Sequence, residues 1–227
     1  NLINLGIQYK KHIFVEKPIC CTDDEVEKLF IQNKTPNQVI QVGHIERYNP
    51  AIKLDFIDKN EITEIKTKRT GIINERNKKS SLVLDLMIHD IDLIMQMIDS
   101  KIQSISSTRK KTNTSESITT NIAFKNATKA QLIAERGVKV NNSREMILQL
   151  RDKKIEIDFI NRTQKHTTQK MKQTEIQLDI NVNPLKMELL EFYNNIINQT
   201  PPTVGIQEAC EAVSIALKIE QLSKSND

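Results

Sequence analysis

Glycine is scarce in this chain. There are five in 227 residues (Gly6, Gly43, Gly71, Gly137 and Gly205), and no two are close in sequence. That spacing excludes, within these residues, a Gly-x-Gly-x-x-Gly turn, in which small residues let a pyrophosphate approach a helix N-terminus. Tryptophan is absent and cysteine is limited to Cys20, Cys21 and Cys210. The adjacent pair makes a poor intramolecular bridge, and no Cys-x-x-Cys or His–Cys spacing points to zinc, so neither a disulfide framework nor a metal site is expected. Sparse, odd cysteine usage suits a reducing cytoplasm. No run approaches the ~18 consecutive apolar residues of a transmembrane helix, and no basic-then-apolar leader opens the chain. Charge of one sign is not in excess: 33 Lys and Arg face 29 Asp and Glu, for a net charge of +4. The basic residues are dispersed, and the densest run, Thr108-Arg109-Lys110-Lys111, reads as a solvated strand end or loop. No nucleic-acid partner and no membrane are expected.

Hydrophobic residues at 38% and charged residues at 27% place the chain among globular proteins, towards their polar end. Leu2, Ile3, Leu5 and Ile7 read as the last turns of an amphipathic helix. The run from His12 to Val15 reads as a buried parallel strand that leaves its sheet at Lys17-Pro18. Thr22 is a good N-cap with Glu25 three residues on, and the helix it opens, to Gln32, turns Val26, Leu29 and Phe30 to one face. Pro36 follows, then a second buried strand from Gln38 to Val42. Strand, helix and strand in about thirty residues make a βαβ unit.

Tyr48–Asp58 reads as a helix with Ala51, Ile52, Phe56 and Ile57 as its apolar positions. Beyond it the period changes to two, in segments from Glu61 to Lys68, Ser104 to Arg109, Ser117 to Phe124, Ala130 to Ala134, Met146 to Leu150 and Lys154 to Phe159. These are strands of an open, mostly antiparallel sheet. Helices are expected over about 82–98, 184–197 and 206–222, and Thr163 to Thr174 is read as a loop or hairpin tip. The fold class is therefore α/β plus α+β. Residues 1–60 form the C-terminal remnant of a doubly wound Rossmann domain. Residues 61–227 form an open-sheet domain with flanking helices, the last helix packing back on the first domain.

Three segments carry the chemistry. Lys17 stands at the carboxyl end of a parallel strand, where open α/β sheets place their ligands. Asp85 and His89 are four apart on a helix and share a face. There the imidazole can titrate near neutrality and the carboxylate can hold a substrate oxygen. Gly43-His44-Ile45-Glu46-Arg47-Tyr48-Asn49-Pro50 leaves the second strand carrying donors for sugar hydroxyls or phosphates. Each also has an ordinary structural explanation when taken alone.

As a set, Glu16-Lys17-Pro18, Gly43 to Pro50, Asp85-x-x-x-His89-Asp90 and Pro184-Leu185-x-x-Glu188-Leu189-x-x-Phe192 resemble the Gfo/Idh/MocA oxidoreductases. Within that family they are most similar to bacterial UDP-N-acetylglucosamine 3-dehydrogenases. The resemblance implies oxidation of a secondary hydroxyl of a sugar or nucleotide sugar, with NAD or NADP as hydride acceptor. It implies that Lys17, Asp85 and His89 are catalytic and that Glu16, Lys17, Pro18 and Arg47 bind the cofactor. Tyr48, Asn49 and Asp85 would bind the substrate. It also implies a cis bond before Pro18.

The family opens with a glycine-rich strand–turn–helix that this sequence lacks. The expectation is a truncated enzyme, inactive by itself and a poor binder of NAD(P), whose sheet exposes apolar edges at Val15 and Val42. Alternatives are a non-catalytic remnant of a split or decaying gene, or an oligomerisation module. The first residue, Asn1, accordingly reads as the start of a piece. A homo-dimer or tetramer is expected through a free apolar sheet face carrying Ile118, Ile122, Leu132 and Leu148.

Overall fold

The computed structural model describes residues 2–31, 37–54 and 57–224. Helix α1 (Leu2–Gln8) leads into strand β1 (Ile13–Glu16), helix α2 (Asp23–Ile31) and strand β2 (Ile40–Gly43). β1 and β2 pair in parallel, Ile13 opposite Ile40 and Glu16 opposite Gly43, closing the expected βαβ unit. Thr22 Oγ1 accepts from Glu25 N at 3.3 Å, while Glu25 Oε2 accepts from Cys21 N at 2.9 Å. The capping box thus reaches one residue further back than its usual form. Val26 and Leu29 are buried as expected, but Phe30 is half exposed, because α2 is covered along a narrower stripe than its sequence offers.

Two expectations about this unit need correction. β1 is only partly buried. Val42 is fully buried rather than exposed, since its N–H bonds Val204 O at 3.0 Å and the segment entering the last helix covers that edge. Among the described residues no regular α-helix begins at Tyr48: the 3₁₀ turn Ile45–Tyr48 is followed by a turn and irregular chain as far as Lys53. Asn49 provides the reason, since its Oδ1 takes the N–H of Ala51 and diverts the backbone into a turn. Phe56, Pro36 and Gln32, named in those expectations, lie outside the described residues.

The second unit begins with β3 (Ile62–Ile72). A π-helical turn, Val83–Met87, leads into α3 (Ile88–Met97), and together they occupy the expected 82–98 helix. Strands β4 (Ile102–Lys111), β5 (Ser115–Phe124), β6 (Lys129–Gly137), β7 (Ser143–Leu150), β8 (Lys153–Asp158), β9 (Thr163–Thr168) and β10 (Gln173–Glu175) follow. Helices α4 (Pro184–Asn198) and α5 (Ile206–Lys224) complete the chain. The polar stretch 163–174 is therefore a strand pair that extends the sheet. The order is β10-β9-β8-β7-β3-β6-β5-β4, and β3–β6 is its parallel pair in an otherwise antiparallel sheet. The architecture matches the open, mostly antiparallel sheet with flanking helices read from the sequence. α5 packs against α2, β2, α3 and β4 and so bridges both sheets.

The sheet's two faces are assigned differently from the expectation. Ile118, Ile122, Leu132 and Leu148 are all at most 2% exposed, within the core that also takes in α3 and α5. The opposite face carries rows such as Asp158-Glu145-Lys68-Ile133-Thr119-Thr108, charged and hydroxylic apart from an isolated isoleucine. A face of that composition needs no apolar cover, so the case for self-association through those four residues falls. Among the exposed apolar positions, Leu185, Leu189, Tyr193 and Ile197 form an i, i+4 stripe on α4.

Candidate active site

The site lies where the carboxyl end of β1 meets the π-helical turn before α3. The Lys17–Pro18 bond is cis. Lys17 Nζ donates to the main-chain oxygen of Asp85 at 2.6 Å and lies 3.7 Å from its carboxylate. Asp85 Oδ2 also accepts from Arg136 Nη2 at 2.6 Å and from Ser80 Oγ at 3.3 Å. A carboxylate so held presents its outer edge in a fixed direction. Burial pulls the Lys17 ammonium below its ordinary range, against the neighbouring charge of Asp85, which acts the other way.

Asp85 falls inside the five-residue π-helical segment, where Ile88 N–H reaches back to Val83 O. This widened turn still leaves Asp85 and His89 on one side, and such bulges concentrate at functional positions. His89 Nδ1 is buried without a hydrogen-bond partner. Burial pushes this imidazole well below the ordinary histidine range, and Arg69, Lys17, His44 and Arg144 push in the same direction. The His44 ring meets it edge to face at 6.5 Å and is itself lowered by burial, against the raising effect of Asp92. Both rings are neutral at pH 7, so His89 can accept a proton.

Glu16 is exposed at the end of β1, and a Cβ on Gly43 would fall 2.9 Å from its Oε2. A side chain there would push aside the end of the exposed, flexible Glu16 side chain. Arg47 forks onto Asp92, Nε to Oδ2 at 2.7 Å and Nη2 to Oδ1 at 2.6 Å, and is largely buried. Tyr48 OH turns away towards α4, donating to Glu191 and accepting from Gln41 Nε2 at 3.3 Å. Asn49 Nδ2 bonds Glu46 Oε2 at 2.9 Å and Phe159 O at 3.2 Å. The structure therefore gathers Lys17, Asp85 and His89, with Glu16 and Pro18 beside them. It commits Arg47 and Tyr48 to bonds within the protein, and Asn49 reaches the cavity only as part of its wall.

Beside the Asp85 turn opens a cavity of about 860 Å³, bounded by Glu46, Arg69, Leu86, Asn142, Arg144 and Arg162 among others. Its floor is an ion-pair network. Arg69 is 2% exposed and forks onto Asp90 (Nη2–Oδ1 2.8 Å), while its Nη1 takes Glu46 Oε1 at 2.8 Å. Burial alone would lower the Arg69 guanidinium, but Asp90 and Glu46 raise it further still. Sequence reasoning passed over Arg69 and Arg136, although alternation offered the signal. Ile65, Thr67 and Arg69, like Leu132, Ala134 and Arg136, occupy successive inward positions, and a charge at an inward position requires a buried partner.

A further buried acid lies outside this cluster. Glu188 on α4 is fully buried and neither carboxylate oxygen has a partner. Burial, with Glu16 and Glu191 nearby, pushes it up to about 7. Its ionised form is disfavoured in the fold, so the cost is absent below the unfolded value near 4.5. It grows as pH rises and is complete above about 7. Glu188→Gln is expected to stabilise the chain by on the order of 1–3 kcal/mol at pH 8 and not at pH 4.5. Thermal melts of both forms at the two pH values check this, and an equal gain at both would refute the assignment.

No family model matches the chain. It is 26% identical over 165 residues to the UDP-N-acetylglucosamine 3-dehydrogenase of Acidithiobacillus ferrooxidans. That match covers 70% of this chain and about half (51%) of the relative's length. The crystal structure of that enzyme, GnnA, superimposes with a TM-score of 0.91 at 22% identity, covering 98% of this chain and 74% of the other. Levoglucosan dehydrogenase in complex with NADH and L-sorbose gives a TM-score of 0.80 at 14% identity, with 98% and 74% covered. The fold is that of the carboxyl-terminal part of Gfo/Idh/MocA-type oxidoreductases. The likeness read from the motifs thus holds in both sequence and architecture. Among the described residues no helix is long and apolar enough to cross a membrane, and no group of three or more His, Cys, Asp or Glu could hold a metal.

Proposed function

We propose that this chain is the substrate-binding and catalytic portion of an NAD(P)-dependent oxidoreductase that oxidises a secondary hydroxyl of a sugar or nucleotide sugar. The supporting observation is the convergence of Lys17, Asp85 and a neutral, unpartnered His89 next to the cavity that Leu86 and Arg69 line. Bound NAD(P) supplies the acceptor for the hydride that leaves carbon. His89 takes the hydroxyl proton, its neutrality at pH 7 maintained by burial and by the cations around it. Lys17 donates to the reacting oxygen and stabilises the negative charge that builds on it. Asp85, anchored by Arg136, accepts from a neighbouring hydroxyl and orients the ring.

The residues present fit the reacting end of the cofactor. Glu16, Lys17 and Pro18 would hold the nicotinamide end, and Arg47, paired with Asp92, would brace that wall. Tyr48 shapes the seat of α4, and Asn49 fixes the cavity wall. The pyrophosphate end has no glycine-rich turn among these residues. Residues 1–227 alone are therefore expected to show no measurable NADH binding in a fluorescence titration, and low-micromolar affinity would overturn this account of the architecture. The activity itself is tested by joining these residues to a glycine-rich strand–turn–helix segment of the family. That protein is then assayed for NAD⁺ reduction with UDP-N-acetylglucosamine and with free sugars. Folded, cofactor-binding protein that reduces no NAD⁺ with any of them would refute the proposal.

A further inference from the structure

Asp85 and His89 project from a turn that leaves the regular helical ladder, so its direction rests on what grips its first residues. Ser81 provides that grip. Its main-chain oxygen accepts from Asp85 N at 3.0 Å, and its Oγ accepts from Leu84 N at 3.0 Å as a side-chain cap. The same Oγ donates to Glu220 Oε1 on α5. A hydroxyl has one proton to give, so once Glu220 takes it the lone pairs are turned towards Leu84 N–H. Glu220 is held in its turn by Arg109 on β4, Nη2 to Oε2 at 2.6 Å, and Arg109 Nη1 continues to Glu116 on β5 at 2.7 Å. The three charged side chains are only 11–18% exposed, so solvent ions screen these bonds little. Ser81, Glu220 and Arg109 all lie outside the cavity wall.

We propose that Ser81, Glu220 and Arg109 are positioning residues, a strap running from the sheet through α5 that aims Asp85 and His89 at the substrate. Its consequence for turnover rests on the sugar-oxidoreductase reading above, whereas the strap itself belongs to the chain alone. Lys17 and Arg136 fix the carbonyl and the carboxylate of Asp85, and the strap fixes its N–H. Held at all three points, Asp85 keeps one orientation, and His89 one turn further on keeps it too. Such precision matters for rate, because a displacement of about 1 Å at the reacting groups can cost ~10²-fold. The carboxylate of Glu220 reaches the turn through the Ser81 hydroxyl. The two residues should therefore act as a unit, and removing Glu220 should matter little once that hydroxyl is gone.

Nuclear magnetic resonance of the chain tests the strap without cofactor or turnover. There are four histidines, His12, His44, His89 and His166. Ser81→Ala should move the ring signals of His89, and of His44 in contact with it, while those of His12 and His166 stay in place. An unmoved His89 signal, or equal movement of all four, would overturn the proposal. In the joined, cofactor-competent protein, Ser81→Ala and Glu220→Ala should each lower kcat about tenfold or more, with KM changed less than about threefold. Ser81→Thr should recover most of the loss, because its hydroxyl caps and donates in the same way. Adding Glu220→Ala to Ser81→Ala should cost little more, and losses that multiply would refute the strap. Melting curves establish that the variants are folded, and the two Ser81 variants decide the matter if Glu220→Ala is not. A joined protein without turnover, in a chain whose His89 signal moves as expected, would sink the dehydrogenase reading and leave the strap standing. Turnover undiminished in Ser81→Ala would keep that reading and remove the strap.

Discussion

Replacing Arg69 with methionine is expected to cost about 3–5 kcal/mol of folding stability, the range for breaking a buried ion pair from one side. The reason is what would remain. Asp90 and Glu46 are 2% and 3% exposed, and Arg69 supplies four contacts to them, at 2.8 Å on Nη1 and Nη2 and 3.2 Å twice on Nε. Methionine fills most of the volume but leaves two carboxylates facing each other with only Asn49 and the half-exposed Arg144 on Glu46. Against a total stability of roughly 5–15 kcal/mol, such a loss lowers the melting temperature of a chain this size by about 6–20 °C. Adding Asp90→Asn to Arg69→Met should restore part of the loss, because it removes one of the stranded charges. A melting temperature within about 2 °C of the parent for Arg69→Met would mean that the network is not holding β3, α3 and the turn after β2 together.

In the joined, cofactor-competent protein, His89→Ala and Lys17→Ala should each lower turnover by ~10²–10⁴, the range for losing a positioned acid or base. His89 has no hydrogen bond to lose on Nδ1, so its removal should leave folding nearly intact, and the loss should appear in kcat. The pH profile provides a second readout. An imidazole whose value is pushed below the ordinary 6.5 keeps its proton-accepting form at lower pH. The acid limb of kcat/KM should therefore fall below pH 6.5 in the parent and disappear in His89→Ala. Near-normal turnover in His89→Ala, or an acid limb above pH 7 in the parent, would remove His89 from the proposed step.

Most of the secondary structure was legible in the sequence because its signals are local. The Thr22 cap, the period-two strands and the Pro184 start of α4 depend on neighbours within a few residues, and each element formed close to where it was read. The helix expected from Tyr48 is absent from the described residues up to Lys53, because Asn49 competes for the backbone N–H of Ala51. Periodicity counts apolar spacing and does not register such a bond. The strands of 163–174 were missed for a related reason: the buried positions of β9, Gln164 and Thr167, are polar, and β10 at the sheet's edge is exposed throughout, so neither carries an apolar alternation to read.

By itself the sequence determined the βαβ unit, the open antiparallel sheet and the chemical identities of Lys17, Asp85 and His89, since strand ends and helix faces follow from order and period. Only the tertiary structure decided which face of the sheet is covered. Strand alternation shows that a strand has two faces but not which of them α3 and α5 lie upon, so Ile118, Ile122, Leu132 and Leu148 went inward and the charged rows outward. It likewise decided that Arg136 holds Asp85, that Arg69 joins Glu46 to Asp90, and that Arg144 faces the cavity with its charge only partly matched. These contacts join residues from 21 to 98 positions apart. Charges so far apart in the chain find one another only after the sheet has formed, and the energy of burying them without partners is what makes the pairing specific.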